Sequence, residues 1–194
     1  MHDWNVVITA RDDGFAPTVR LLRGLGPLHR THFFNVLVMK VENVREFLEA
    51  VRDAYVRDPM VATFLARASP AQSVFHFGSP AEFDRQARDI VRSLAPELSG
   101  RSFHVRMHRR GLRGALSSQL EERSLAEAIL DELQANGSNA HMAFRDPDAI
   151  VSVETVDNRA GISLWTREEL DRYPFLGLDR GIEQPATAGP AAPA

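Results

Sequence analysis

The sequence predicts an α/β chain of the α+β kind, built as two consecutive units. Three observations predict it. β-prone runs such as WNVVITA (4–10) and AIVSVETV (149–156) alternate with amphipathic stretches that begin at helix caps. The order reads strand, helix, strand, helix, strand, and then helix, strand, helix and three strands. That order fits two α/β units better than one doubly wound sheet. A chain of 194 residues is long enough for two small cores.

The elements follow in order. WNVVITA forms the first strand, and a helix is expected over about 16–25, before the Gly24-Leu25-Gly26-Pro27 break. HFFNVLVMKV (32–41) is the next strand. Asn43 caps a helix whose apolar face is Val44, Phe47, Leu48 and Val51, with Glu46 three residues after the cap and Pro59 as its limit. Residues 61–68 are read as a strand. Ser79-Pro80-Ala81-Glu82 is a capping box with proline at the first helical position. Phe83, Ala87, Ile90, Val91 and Leu94 line the buried face of the helix it opens, and Pro96 and Gly100 close it. FHVRM (103–107) alternates, with Phe103, Val105 and Met107 facing one way and His104, Arg106 and His108 the other.

Glycines 111 and 114 break that strand. Ser118 with Glu121 is read as the cap of a further helix, whose apolar face holds Leu125, Ala128, Ile129 and Leu133 and which Gly137 ends. HMAF (141–144) is a short strand, turned by Asp146-Pro147-Asp148. Strand 149–156, a turn over 157–161 and a returning ISLW come next. Thr166 and Glu169 cap a last short helix that stops before Pro174. The expected units are 1–72 and 73–180. A Pro- and Ala-rich tail, 181–194, is expected to be disordered.

Composition narrows the function. The chain has no cysteine, which excludes disulfides, thiol nucleophiles, zinc fingers and iron–sulfur ligation by cysteine. There is no apolar run long enough to span a membrane, and the first residues lack the layout of a secretory signal. The expectation is a cytoplasmic protein without a membrane partner. Of the 23 basic residues only Lys40 is lysine. Such usage follows from a GC-rich genome or from selection for planar phosphate recognition, so placement carries the argument rather than number.

Placement singles out RSFHVRMHRRGLRG, 101–114. The formal net charge of the chain is -3, yet this stretch carries five arginines, two histidines and no carboxylate. The arginines straddle a strand end and a glycine turn, just ahead of a helix N-terminus whose free N–H groups favour anions. This pattern describes a phosphate-binding surface. Arg106, Arg109, Arg110 and Arg113 are the first choices for phosphate contacts, and Arg101, His104 and His108 the second.

The catalytic alternatives are weaker. Neither Gly24-Leu25-Gly26 nor the Gly111–Gly114 segment continues into a P-loop, and no G-x-S-x-G elbow is present. His104 and His108 lie among arginines that repel a cation, so no metal is assigned. Asp146 and Asp148 read as a turn rather than as paired catalytic acids. Trp4, Trp165, Phe33 and Phe34 could stack on bases, but each lies in or beside an apolar strand and is assigned to the core. No catalytic residue and no cofactor is expected.

SFHVRMHRRGLRGALSS, followed by a helix and FRDPDAIVSVETVDNRAGISLWTREELDRYPFLGLD, resembles the THUMP domain family. The likeness spans roughly 79–179. It rests on a strand of the F-x-V-R-x-x-R-R-G type (Phe103, Val105, Arg106, Arg109, Arg110, Gly111) and on the Asp146-Pro147-Asp148 turn that runs into an apolar strand. The preceding unit resembles the ferredoxin-like domain that accompanies THUMP.

This resemblance implies a module that binds RNA, chiefly tRNA, while a separate domain does the chemistry. The chain is most similar to stand-alone members without a catalytic domain, including the adaptor of a tRNA cytidine acetyltransferase. Neither a catalytic third domain nor the cysteine of the thiouridine route is found in the sequence. The expectation is therefore a non-enzymatic tRNA-binding adaptor for a tRNA-modifying enzyme acting in trans. Two alternatives stay open: a protein–protein scaffold whose arginines meet an acidic partner, and a small enzyme with a pocket between the units.

Overall fold

The computed structural model describes residues 3–180. The tail expected over 181–194 lies outside them. The first unit runs β1 (Val6–Ala10), α1 (Phe15–Leu22), β2 (Leu28–Arg30), β3 (Val36–Met39), α2 (Val44–Arg57), the single helical turn α3 (Val61–Phe64) and β4 (Leu65–Pro70). Its antiparallel sheet has the order β2-β3-β1-β4, which is the ferredoxin-like arrangement. Alternation along β1 divides its two faces. Val6 and Ile8 pack with Leu37, Met39, Phe47, Leu48 and Val51 under the helices, while Val7 joins Trp4, Val36 and Val38 on the other side.

The second unit runs β5 (Ser73–His76), α4 (Pro80–Leu94), β6 (Ser102–Arg110), α5 (Ser118–Ala135), β7 (His141–Met142), β8 (Ala149–Val156), β9 (Arg159–Thr166) and α6 (Arg167–Arg172). Its sheet has the order β5-β9-β8-β6-β7. The central pair, β6 and β8, is parallel; β8 and β9 form an antiparallel hairpin. One face, with Phe103, Val105, Met107, Val151 and Val153, packs with Phe83, Val91, Leu125 and Ile129 of α4 and α5.

The packing crosses the expected boundary at 72/73. Ile150, Trp165, Leu170, Tyr173, Phe175 and Leu176 join the core of the first unit, so the last elements fold back onto it. Polar contacts reinforce the seam. The Arg159 guanidinium donates to the Trp4 carbonyl from Nε at 3.1 Å and Nη2 at 2.9 Å, and it pairs with Asp3. Ser163 Oγ donates to the Pro70 carbonyl at 2.6 Å.

Four expectations are corrected. β2 and β5 are strands that local composition did not show; each has only three or four residues and is held by its neighbour. Residues 61–64 form a helical turn, and the strand begins at Leu65. The turn expected over 157–161 is shorter, because β9 already begins at Arg159. The cap of α5 is Ser117, whose Oγ accepts from Leu120 N at 3.5 Å, and Ser118 is the first helical residue.

The other capping signals form. Asn43 Oδ1 accepts from Arg45 N and Glu46 N at 3.0 and 3.2 Å. Thr166 and Glu169 make a reciprocal capping box. Ser79 Oγ accepts from Glu82 N, while the Glu82 carboxylate reaches Gly78 N rather than closing on Ser79.

Candidate nucleic-acid interface

The basic stretch falls where alternation put it, on β6 and the turn after it. Two conditions then separate its seven candidate residues: which face of β6 each occupies, and which end of the strand.

The face opposite the helical core is only partly open to solvent. His104 is only 4% exposed, and its ring meets Phe144 edge-on at 5.0 Å. Burial, with the Arg106 charge adding to it, pushes the His104 imidazole below its ordinary pKa. His108 is driven down to about 4, first by burial and then by Arg67, Arg110 and Arg106, against the opposing pull of Glu154. Both rings are neutral at pH 7, so neither adds a cation for a phosphate.

Arg110 is also committed inward. Its Nη1 donates to Glu154 Oε2 at 2.7 Å, and its Nη2 donates to Thr9 Oγ1 of β1 at 2.9 Å. Glu154 is 2% exposed and pairs with Arg67 of β4 as well. A carboxylate inside the apolar run of β8 needs such partners, because an unpaired buried charge costs several kcal/mol. Arg110 is thus a structural tie between the units, which corrects its expected place on the binding surface.

Arg101 is exposed but sits at the far end. Nine residues of strand at about 3.3 Å each put it roughly 30 Å from Arg110. There it lines a polar cleft with Asp148, Thr166, Arg167 and Glu168. Asp148 holds that end in place, accepting from Ser102 N and Oγ at 2.9 and 2.7 Å and from Arg167 at 3.0 Å. These bonds pull its carboxyl below the usual range. The Asp146-Pro147-Asp148 segment is the turn expected, with Arg167 bridging both acids.

Arg109 and Arg113 remain together at the near end. Arg109 leaves the strand half-buried, and its Nη1 donates to the Gly111 carbonyl, which fixes the side chain against the turn. Arg113 is exposed, between Gly111 at φ +93° and Gly114 at φ +82°. Neither forms an ion pair among the described residues. Arg106, half-buried in mid-strand, lies between the two histidines on the inward face.

Gly111 is required here: a Cβ would lie 3.1 Å from Asp157 Cα. The turn therefore rests directly on the β8–β9 hairpin. Asp157 N in turn donates to the Arg110 carbonyl at 3.0 Å. The N-terminus of α5 begins four residues beyond Arg113, at the Ser117 cap.

Sequence reasoning missed Thr9, Arg67 and Glu154. The signal for Glu154 was present, as an acid within AIVSVETV. Its partners lie 87 and 44 residues away in the chain, and no local pattern marks them. Phe34 was misassigned. Phe33 packs against the Trp4 cluster, whereas Phe34 is 81% exposed. Trp4 and Trp165 are each 1% exposed and belong to the core.

Fold and site together define a two-unit α+β protein with a basic glycine turn at the seam of its units. No protein-family model matches the chain, and no curated protein matches it in sequence. Solved structures do. PH1313 from Pyrococcus horikoshii superposes with a TM-score of 0.55 at 18% identity, over 84% of this chain and 54% of that one. The likeness shows a shared α+β fold. TrmN from Thermus thermophilus gives 0.48 at 17% identity, over 84% of this chain and 45% of that one. A 4-thiouridine synthetase, solved as an RNA complex with bound ATP, gives 0.49 at 13%, over 84% and 41%. This chain spans about half the length of each, or somewhat less.

Among the described residues no group of His, Asp and Glu is placed to hold a metal ion, and no helix is long and apolar enough to cross a membrane.

Proposed function

We propose that this chain binds RNA, most specifically tRNA, and serves as a non-catalytic adaptor for a tRNA-modifying enzyme acting in trans. The observation that carries the reading is the pair Arg109 and Arg113. They lie on either side of Gly111 and form no ion pair among the described residues, on an acidic protein whose neighbouring strand arginine, Arg110, is neutralised by Glu154. Two unpaired guanidiniums ahead of a helix N-terminus suit a phosphate backbone. A surface of this kind positions RNA by shape and charge rather than by base sequence. The THUMP-like fold supports the same reading. The adaptor role extends the RNA reading and is part of the same proposal.

Two contacts alone give modest affinity, and a partner enzyme that adds its own RNA surface raises it by linkage. The test is binding of the purified chain to folded tRNA and to duplex DNA of similar length, at two salt concentrations. The reading expects tighter binding to tRNA that weakens steeply with salt. Equal binding to both, or none to either at low salt, would defeat it.

A further inference from the structure

A second cleft, of about 470 Å³, lies next to the polar one at Arg101, and Glu168 lines both. Register puts it at the end of the second sheet away from the basic turn. Trp165, in its wall, pairs with Ile150 at the start of β8, whereas Gly111 rests on Asp157, beyond the end of that strand. Val44 and Leu48 of α2 come to the cleft from the first unit, and Trp165 and Tyr173 from the second.

Its walls are braced. Tyr173 Oη donates to Glu49 Oε1 at 2.6 Å, and Arg172 donates to the same oxygen from Nε at 3.0 Å and Nη2 at 2.8 Å. These bonds tie α6 to α2. Most other polar groups of the lining are also spent. Gln72 Oε1 accepts from Leu164 N at 3.0 Å. Glu169 Oε2 accepts from Thr166 N at 2.9 Å and from Thr166 Oγ1 at 3.0 Å, inside the capping box.

Three polar groups of the lining stay free. The Trp165 indole is 1% exposed, yet its Nε1 has no acceptor among the described residues. A buried N–H without a partner is destabilising, and folded proteins keep few of them. Arg45 and Glu168 stand exposed at the same cleft, and neither forms an ion pair among the described residues. The cleft thus offers a buried donor, a cation and an anion around apolar side chains.

From this set we infer that the cleft binds a free amino acid with an apolar side chain. Its carboxylate takes the Trp165 N–H and pairs with Arg45, its ammonium pairs with Glu168, and its side chain lies on Val44, Leu48 and Tyr173. A carboxylate meets the buried N–H with a charge-assisted hydrogen bond. A simple anion would leave Glu168 unpaired, and a simple cation would leave Arg45 unpaired; a zwitterion answers both. The volume is that of a small-molecule site, at a boundary between units where such sites occur. The inference goes beyond the RNA reading and does not depend on it, because the basic turn lies at the other end of the strands.

The experiment is calorimetric titration of the full chain with L-leucine, and with two analogues that each lack one charge, 4-methylpentanoate and 3-methylbutylamine. Wild type should bind L-leucine with a Kd below about 1 mM and each analogue at least about tenfold more weakly. Trp165→Phe keeps a ring and deletes the N–H, and it should weaken L-leucine about tenfold. Arg45→Gln and Glu168→Gln should each weaken it several-fold. Both alter exposed side chains, so they test the site even if Trp165→Phe melts early, which circular dichroism checks. Neither should change tRNA affinity. No heat with L-leucine up to about 10 mM would overturn the inference. Analogues that bind as tightly as L-leucine would overturn it too, as would a folded Trp165→Phe or an Arg45→Gln that binds like wild type.

Discussion

Arg110 and Glu154 form an ion pair across neighbouring strands of the second sheet, with Nη1 2.7 Å from Oε2 and the carboxylate almost wholly buried. The same carboxylate holds Arg67 of the first sheet. One acid thus binds a cation from each unit, and the geometry of the seam depends on it. Glu154→Ala leaves two mostly buried guanidiniums without their shared partner. The expected loss is about 3–5 kcal/mol of folding stability, read as a lower midpoint in urea unfolding. A loss below about 1 kcal/mol would mean that water replaces the carboxylate and that the tie is dispensable.

The arginines of the basic stretch should divide by role. Arg113→Ala removes an exposed side chain, so stability should stay within about 0.5 kcal/mol of wild type. Its tRNA affinity should fall at every sequence tested, and the salt slope should drop by about one. Arg109→Ala should act in the same way on binding. Arg110→Ala should instead destabilise the fold by about 1–3 kcal/mol through the lost bonds to Glu154 and Thr9. Isothermal unfolding and binding titrations on the same three variants check this division. If all three lost affinity and none lost stability, Arg110 would belong on the surface after all.

The limits of the sequence follow the range of the forces. Capped helices and alternating strands are legible because their signals lie within a few residues. Phe103, Val105 and Met107 faced the core as their spacing required, and Asn43, Ser79 and Thr166 opened helices. β2 and β5 were not legible: a short strand such as Leu28–Arg30 is stabilised by the β3 edge it meets, not by its own composition. The candidate site was half legible. Charge clustering found the strand, but alternation could not show what its second face would meet. Phe144 packs on His104, and Glu154, 44 residues away in the chain, holds Arg110. Phe34 escaped as well: adjacent Phe33 and Phe34 look alike in sequence, and only the fold sets Phe33 against the Trp4 cluster and leaves Phe34 exposed.

Gly111 should resist substitution more than Gly114 does. Both have positive φ, so alanine at either carries backbone strain of about 1 kcal/mol. At Gly114 the added methyl meets open space. At Gly111 it meets the Asp157 backbone at 3.1–3.3 Å, so the hairpin turn must move. Gly111→Ala should therefore melt lower than Gly114→Ala and should bind tRNA more weakly, because Arg109 is fixed through the Gly111 carbonyl. Equal melting temperatures would show that the hairpin yields at no cost.

His108 faces Glu154 on β8, Arg67 on β4, and Arg106 and Arg110 on its own strand, and its folded pKa is about 4. Above about pH 7 the imidazole is neutral in both folded and unfolded chains. As pH falls through its unfolded value near 6.5, the unfolded chain takes up a proton that the folded chain refuses until about pH 4. Stability must then decline as pH falls across that window, because the unfolded state binds more protons. His104, also lowered by burial, tilts the same way. Glu121 tilts the other way. Burial and Asp84 raise its carboxyl, so the folded chain holds that proton longer. The comparison of variants therefore isolates His108 where the wild-type curve alone does not. His108→Gln removes the titrating ring and should lose less stability than wild type between pH 7 and pH 5, measured as the shift in urea midpoint. Equal losses in the two proteins would mean that His108 titrates alike in the folded and unfolded chains, so that the pull of Glu154 cancels burial there.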